Sequence, residues 1–246
     1  MSTTNYQEKV RRTQSSHLQV FLPLDDESGT SPRNLAPLKA SGATSSGLVR
    51  VPATRGFIGP DGGRCAEFDG AASTIDIYTT TAAASTITCA EGTMHVWVAV
   101  PQANLSGTTR MQLAIVGADT ANQIGLDFDT TAYRFSGDYF AGAADATYST
   151  TYGKLVYNVD GGIQKPEWHS VGLVYSKAGD SVTVYVDGTA STVCASLGVW
   201  TGAYDDTICN LGTSNSAADY FLSLIHISEP TRPERISYAV FCLKKK

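Results

Sequence analysis

The chain has 246 residues, with 18 basic and 23 acidic side chains for a formal charge of −5, and only 17% of it is charged. That balance lacks the basic footprint nucleic acid requires and disfavours an anionic membrane surface. No run approaches the roughly 20 apolar residues a membrane helix needs, and the opening MSTTNYQEKVRRTQSSH has no apolar core of the secretory-signal kind. A chain of this length suits one large all-β domain.

In chain order, residues 1–16 are polar, with Glu8, Lys9, Arg11 and Arg12, and are expected to form a disordered leader. Leu18 to Leu24 is a candidate first strand, running into the acidic loop Asp25 to Thr30 and then a Gly-, Ser- and Pro-rich connector from Ser31 to Gly47. Arg64 to Asp69 and Ser73 to Tyr78 are expected to pair as a hairpin, with Asp69-Gly70 in the turn. Thr93 to Val100 alternates strictly: Met94, Val96, Val98 and Val100 interleave with His95, Trp97 and Ala99. Further strands are expected at Arg110 to Val116, Ile124 to Phe128, Tyr133 to Ser136, Lys154 to Asn158, Val182 to Val186 and Ile208 to Leu211. No long stretch has a 3.6-residue period, so helix should be scarce. Many short strands separated by Gly and Asn favour an antiparallel sandwich.

The most informative segment is Glu167 to Ser191, EWHSVGLVYSKAGDSVTVYVDGTAS. Two strand-favouring runs flank Lys177-Ala178-Gly179-Asp180, and Asp187-Gly188 supplies a second tight turn. Trp168-His169, the VTVYVDG run, the earlier LPLDDESGT and Phe68-Asp69-Gly70 together resemble laminin G-like domains of the concanavalin A-like superfamily. The resemblance covers Leu18 to Phe221, so residues 17–221 are expected to form one domain. It implies an all-β, two-sheet antiparallel jelly-roll sandwich whose work is recognition of glycan or protein at its rim. It also implies one Ca²⁺ held by rim aspartates and backbone carbonyls, and a pairing of Cys194 with Cys209. Read from the residues alone, Cys65, Cys89, Cys194 and Cys209 are compatible with one or two disulfides or with four small buried or half-buried thiols.

The last segment reads differently. Leu222 to Arg232, LSLIHISEPTR, and Ile236 to Lys246, ISYAVFCLKKK, resemble the in-frame translation of a transposon-type sequencing adapter, with Pro233-Glu234-Arg235 where an index would stand. Residues 222–246 are therefore expected to be foreign to the natural fold. Setting aside its five basic and two acidic residues leaves 13 basic against 21 acidic, a formal charge of −8. The resemblance calls for a closing strand after Phe221, and its loss would leave an unpaired edge. The run Leu222 to Ile227 alternates well enough to occupy that gap.

Catalytic patterns are thin. The glutamates before residue 222 are Glu8, Glu27, Glu67, Glu91 and Glu167, and none form the close pair that retaining glycoside cleavage needs. Asp127 and Asp129 fall on one face of a strand and read as solvated outer-face residues. His17, His95 and His169 have no evident nucleophile partner, and Trp97 and Trp168 read as core. The Asp-Gly-Gly runs at Asp61 and Asp160 lack the helix and lysine of a phosphate cradle. The candidate calcium ligands are Asp119, Asp138, Asp205 and Asp206, with Asn122 and Asn215 nearby. The candidate ligand-binding aromatics are Tyr139, Phe140, Tyr148 and Tyr152 between strands, and Trp200 and Tyr204 beside a Gly-rich turn. The expectation is a non-enzymatic recognition module on a phage, viral or cell surface. A structural assembly domain, or an accessory domain of a carbohydrate-active enzyme, is the alternative.

Overall fold

A computed structural model describes residues 44–46, 49–51, 65–69, 73–76, 89–100, 110–119, 121–130, 134–141, 148–153, 157–160, 163–200, 208–212 and 222–226. The leader, the Leu18 to Leu24 strand and its acidic loop lie outside these residues. The described strands are β1 (Thr44–Ser46), β2 (Val49–Val51), β3 (Cys65–Asp69), β4 (Thr74–Asp76), β5 (Glu91–Ala99), β6 (Met111–Asp119), β7 (Asn122–Asp129) and β8 (Arg134–Ala141). They continue with β9 (Tyr148–Gly153), β10 (Tyr157–Asp160), β11 (Ile163–Pro166), β12 (His169–Ser176), β13 (Ser181–Val186), β14 (Thr189–Ala190), β15 (Asn210–Leu211) and β16 (Leu222–His226). Among the described residues there is no helix.

The strands form two seven-stranded antiparallel sheets and one small pair, β10 with β11. The first sheet runs β1-β4-β15-β6-β7-β8-β9, and the second β14-β13-β12-β5-β16-β3-β2. The chain passes repeatedly from one sheet to the other, as in a jelly roll. A single core cluster joins them, drawing Met94, Val96 and Val98 from β5, Leu126 and Phe128 from β7, and Val182, Val184 and Val186 from β13. The sheets approach closely at Gly137 on β8, where a Cβ would stand 2.3 Å from Leu173 Cδ1 and 2.7 Å from Val184 Cγ2.

The hairpin read from Glu167 to Ser191 is present, with β12 and β13 in register from Val171↔Val186 to Ser176↔Ser181. The second turn places Asp187 at φ 49° and Gly188 at φ 79°, the left-handed pair that Asp-Gly supplies at low cost. The expected hairpin between residues 64–69 and 73–78 is not. Both strands form, but β3 pairs with β2 and β16 in one sheet while β4 pairs with β1 and β15 in the other. β3 and β4 thus lie in different layers, and Phe68 and Ile75 both bury their side chains in the shared core. Of the strand expected at Lys154 to Asn158, the described part lies in β10 (Tyr157–Asp160), and Tyr148–Gly153 forms a strand that alternation did not announce. The gap next to β3 is filled: β16 pairs with β3 through Leu222↔Asp69 and with β5 through Leu224↔Ala99.

Candidate functional site

The outer face of the second sheet carries the described feature best suited to a ligand. In β5, burial alternates, so Met94, Val96 and Val98 face the core and Glu91, Thr93, His95 and Trp97 are half-exposed on the other side. Register fixes their neighbours. His95 lies opposite Gly172, which lies opposite Tyr185; Trp97 lies opposite Ser170, and Thr93 opposite Val174. Tyr185 is 37% exposed and Val174 39%, whereas the rest of β13 is buried apart from its half-buried first residue.

Gly172 decides how His95 lies. A Cβ there would meet His95 Cδ2 at 3.3 Å, so the missing side chain lets the imidazole lean over the strand. In that pose His95 Nε2 is 2.9 Å from Ser170 Oγ, while Nδ1 is buried without a hydrogen-bond partner. Desolvation holds the His95 pKa down to about 3, so the ring is uncharged at neutral pH. Asp187 braces the adjoining end of β12. It accepts from Ser170 N at 2.9 Å through Oδ1 and meets His169 Nδ1 at 2.9 Å through Oδ2. The result is a flat patch of rings, two threonines and a serine on rigid central strands.

Two corrections follow. Trp97 is not a core residue: it has the parity of His95 and faces outward, half-exposed. Trp168 is likewise only partly buried and packs on a small separate cluster of Cys65 and Ala99, outside the main core.

The aromatics expected to bind ligand divide. Tyr139 is 1% exposed and belongs to the core; its hydroxyl donates to the Cys89 carbonyl at 2.9 Å and its ring meets Trp200 at 6.0 Å, 69° between planes. It has no face left for a sugar. Phe140 is half-buried on β8. Tyr148 and Tyr152 lie in β9 rather than between strands, opposite Tyr139 and Phe135. Trp200 is partly buried against the core, and Tyr204 lies outside the described residues. Of the set, Tyr139 and Trp200 pack on the core between the sheets.

The aspartates proposed for calcium also separate. Asp119, at the end of β6, spends Oδ1 on the backbone N–H groups of Ala121 and Asn122, each at 2.8 Å. The Asn122 side-chain amide, and then those backbone hydrogen bonds, hold its carboxyl below the usual range. Asp138 is not at the rim: it is 2% exposed in the middle of β8 and paired with the Arg110 guanidinium. Asp205, Asp206 and Asn215 lie outside the described residues. Among the described residues no group of three or more His, Cys, Asp or Glu side chains could hold a metal, and those present do not fit a calcium site.

Asp127 was also misplaced by sequence. It is fully buried, ion-paired with Arg110 and accepting a hydrogen bond from Ser136 Oγ. Burial pushes its carboxyl up, against the opposing pull of Arg110 and then Ser136. Asp129, two residues on, is the more exposed and stands 3.9 Å from Arg134. Beside this group Gln112 fills a β6 register shift, donating to the carbonyls of Ala114 at 2.9 Å and Leu126 at 3.0 Å. No disulfide joins any two of the four described cysteines. Cys194 bridges Val182 in the second sheet and Cys209 is buried beside Gly117 in the first, so the pairing implied by resemblance is not formed.

No family model matches the chain, and no curated protein matches its sequence. Solved structures do. A Trypanosoma rangeli sialidase in complex with the inhibitor DANA aligns over 85% of this chain and 29% of that one, at 14% identity and TM-score 0.55. The binding domain of botulinum neurotoxin serotype D aligns over 89% of this chain and 49% of that one, at 7% identity and TM-score 0.54. A carbohydrate-binding module from Bacillus subtilis aligns over 76% of this chain and 92% of that one, at 14% identity and TM-score 0.40. The chain thus spans less than half the length of the sialidase and neurotoxin chains, and what it is similar to in them is the all-β sandwich.

Proposed function

We propose that the chain is a non-catalytic recognition module that binds glycan on the outer face of its second sheet. The observation that carries the reading is the half-exposed row of Trp97, His95 and Tyr185 about Gly172 and Ser170. Stacking rings with a few hydroxyl groups on a rigid surface are what a pyranose requires: its apolar face covers a ring and its edge takes the hydrogen bonds.

The chemistry nearest to catalysis supports binding over turnover. His95 touches Ser170 Oγ, but a pKa of about 3 makes it a feeble base at neutral pH, and no acid orients its Nδ1. Asp127 and Asp138 lie close, but both are committed to Arg110.

The test is a glycan array probed with the 246-residue chain and with Tyr185→Ala, whose side chain is exposed enough to lose without harm to the core. Specific glycan signals that fall in the variant are the expected result. Silence across the array, or signals indifferent to Tyr185, would favour a structural assembly domain.

A further inference from the structure

We infer that this face takes an internal stretch of a sugar chain, at least three linked units long, rather than a single terminal sugar; the inference rests on the binding face proposed above. The spacing of its two large rings carries it. Trp97 lies on β5 and Tyr185 on β13, with β12 between them. Trp97 is opposite Ser170, whereas Tyr185 is opposite Gly172, so the pair is offset by two strands across the sheet and two residues along it. Strand and residue spacings put these positions about 12 Å apart on the diagonal. Side chains stand nearly upright on a sheet, so the rings keep roughly that separation. Continuous register, from His169↔Val98 to Ser176↔Glu91 and from Val171↔Val186 to Ser176↔Ser181, fixes it before any ligand arrives.

Each linked pyranose lengthens a chain by about one strand spacing. A single sugar stacked on one ring therefore leaves the other bare, and two adjacent units still fall short. The outer units of a trisaccharide reach both. The interval between the rings suits the middle unit. His95 leans over Gly172, next to Tyr185 in the register, and its Nε2 meets Ser170 Oγ at 2.9 Å, next to Trp97. An imidazole and a hydroxyl thus lie along the diagonal, and Gly172 keeps the floor beneath it low. The sheet also continues past both rings, to Ala190 of β14 beyond Tyr185 and to His226 of β16 beyond Trp97. A chain laid across the rings meets more sheet in either direction.

The experiment measures affinity against length. The 246-residue chain, Tyr185→Ala and Trp97→Ala are titrated by calorimetry with cello-, chito- and malto-oligosaccharides of one to six units, and with any array hit shortened one unit at a time. In a series that binds, affinity should rise about tenfold between two and three units, the size of one added stacking contact, and then level off. Either ring deletion should abolish that step while leaving the disaccharide affinity nearly unchanged. Circular dichroism of each variant verifies folding, and Tyr185→Ala stands alone if Trp97→Ala unfolds. Affinity already complete with one or two units, and lowered in Tyr185→Ala, would overturn this inference while leaving the binding face intact. Binding indifferent to both rings at every length, or no binding in any series or on the array, would overturn both.

Discussion

Asp127 on β7 and Asp138 on β8 converge on one nitrogen of the Arg110 guanidinium, so two buried carboxylates share a single cation on the outer face of the first sheet. Replacing Arg110 with Gln should therefore cost more than losing a surface pair. Breaking a buried pair costs roughly 3–5 kcal/mol, and the lower end applies because the Arg110 side chain is 39% exposed and partly screened. Asp127 has a raised folded pKa, so its burial penalty is present above that pKa and relieved as pH falls toward the unfolded value of 3.8. Urea unfolding should accordingly show a large Arg110→Gln deficit at pH 7 that shrinks on acidification. A deficit independent of pH would mean the carboxylates are not the cause.

His95 carries the opposite pH sign. Its folded pKa of about 3 lies below the unfolded 6.5, so its contribution is fully present above 6.5 and is lost as pH falls from 6.5 toward 3. A shift of that size is worth on the order of a few kcal/mol. His95→Phe keeps a ring over Gly172 but does not titrate, and its stability should fall less than wild type between pH 6.5 and 4. Parallel pH profiles would refute the desolvated neutral imidazole.

The fold was far more legible than the site, and the reason is physical. Strand parity is written in single residues: Met94, Val96 and Val98 inward already placed Trp97 outward, and reading it as core ignored that alternation. Register between strands distant in sequence is not written locally. Nothing in the TMHVWVAV alternation alone tells that His95 will sit opposite Gly172, or that Asp138, expected at the rim, will share a cation with Asp127. Tyr139 and Trp200 were recognisable as aromatics at element ends, but only packing decides whether such rings close a core or meet a ligand.

Glycine positions test that packing. At Gly212, φ is 84° and a Cβ would stand 2.2 Å from the Phe68 ring, so Gly212→Ala combines backbone strain with a clash in the core. At Gly172 the same change meets nothing nearer than 3.3 Å. Gly212→Ala is expected to lose at least about 2 kcal/mol, the range of overpacking plus left-handed strain, and Gly172→Ala distinctly less. Equal midpoints in urea would contradict the close approach at Phe68.

Asp180 fastens the segment after β14 to the β12–β13 turn, accepting from Ser196 N at 2.9 Å and Leu197 N at 2.7 Å. Those two backbone donors hold its carboxyl below the usual range, so the fastening is complete above pH 3.8 and is lost as pH falls through the lowered folded value. In Asp180→Ala the amides of Ser196 and Leu197 should exchange faster at neutral pH, while those of β12 and β13 keep their protection. Unchanged exchange at both would show that the segment is held by Leu197 packing alone.

The second sheet depends on β16, although its sequence resembles translated adapter. The two facts are compatible, because an alternating apolar run will pair with any open edge. β16 bonds to β3 on one side and β5 on the other, so removing residues 222–246 would divide the sheet into β14-β13-β12-β5 and β3-β2. Two new edges would open beside Phe68 and Val98, both fully buried now. The shortened chain should lose cooperative unfolding as followed by tryptophan emission. A midpoint unmoved by the truncation would show that residues 222–226 contribute nothing to the sandwich.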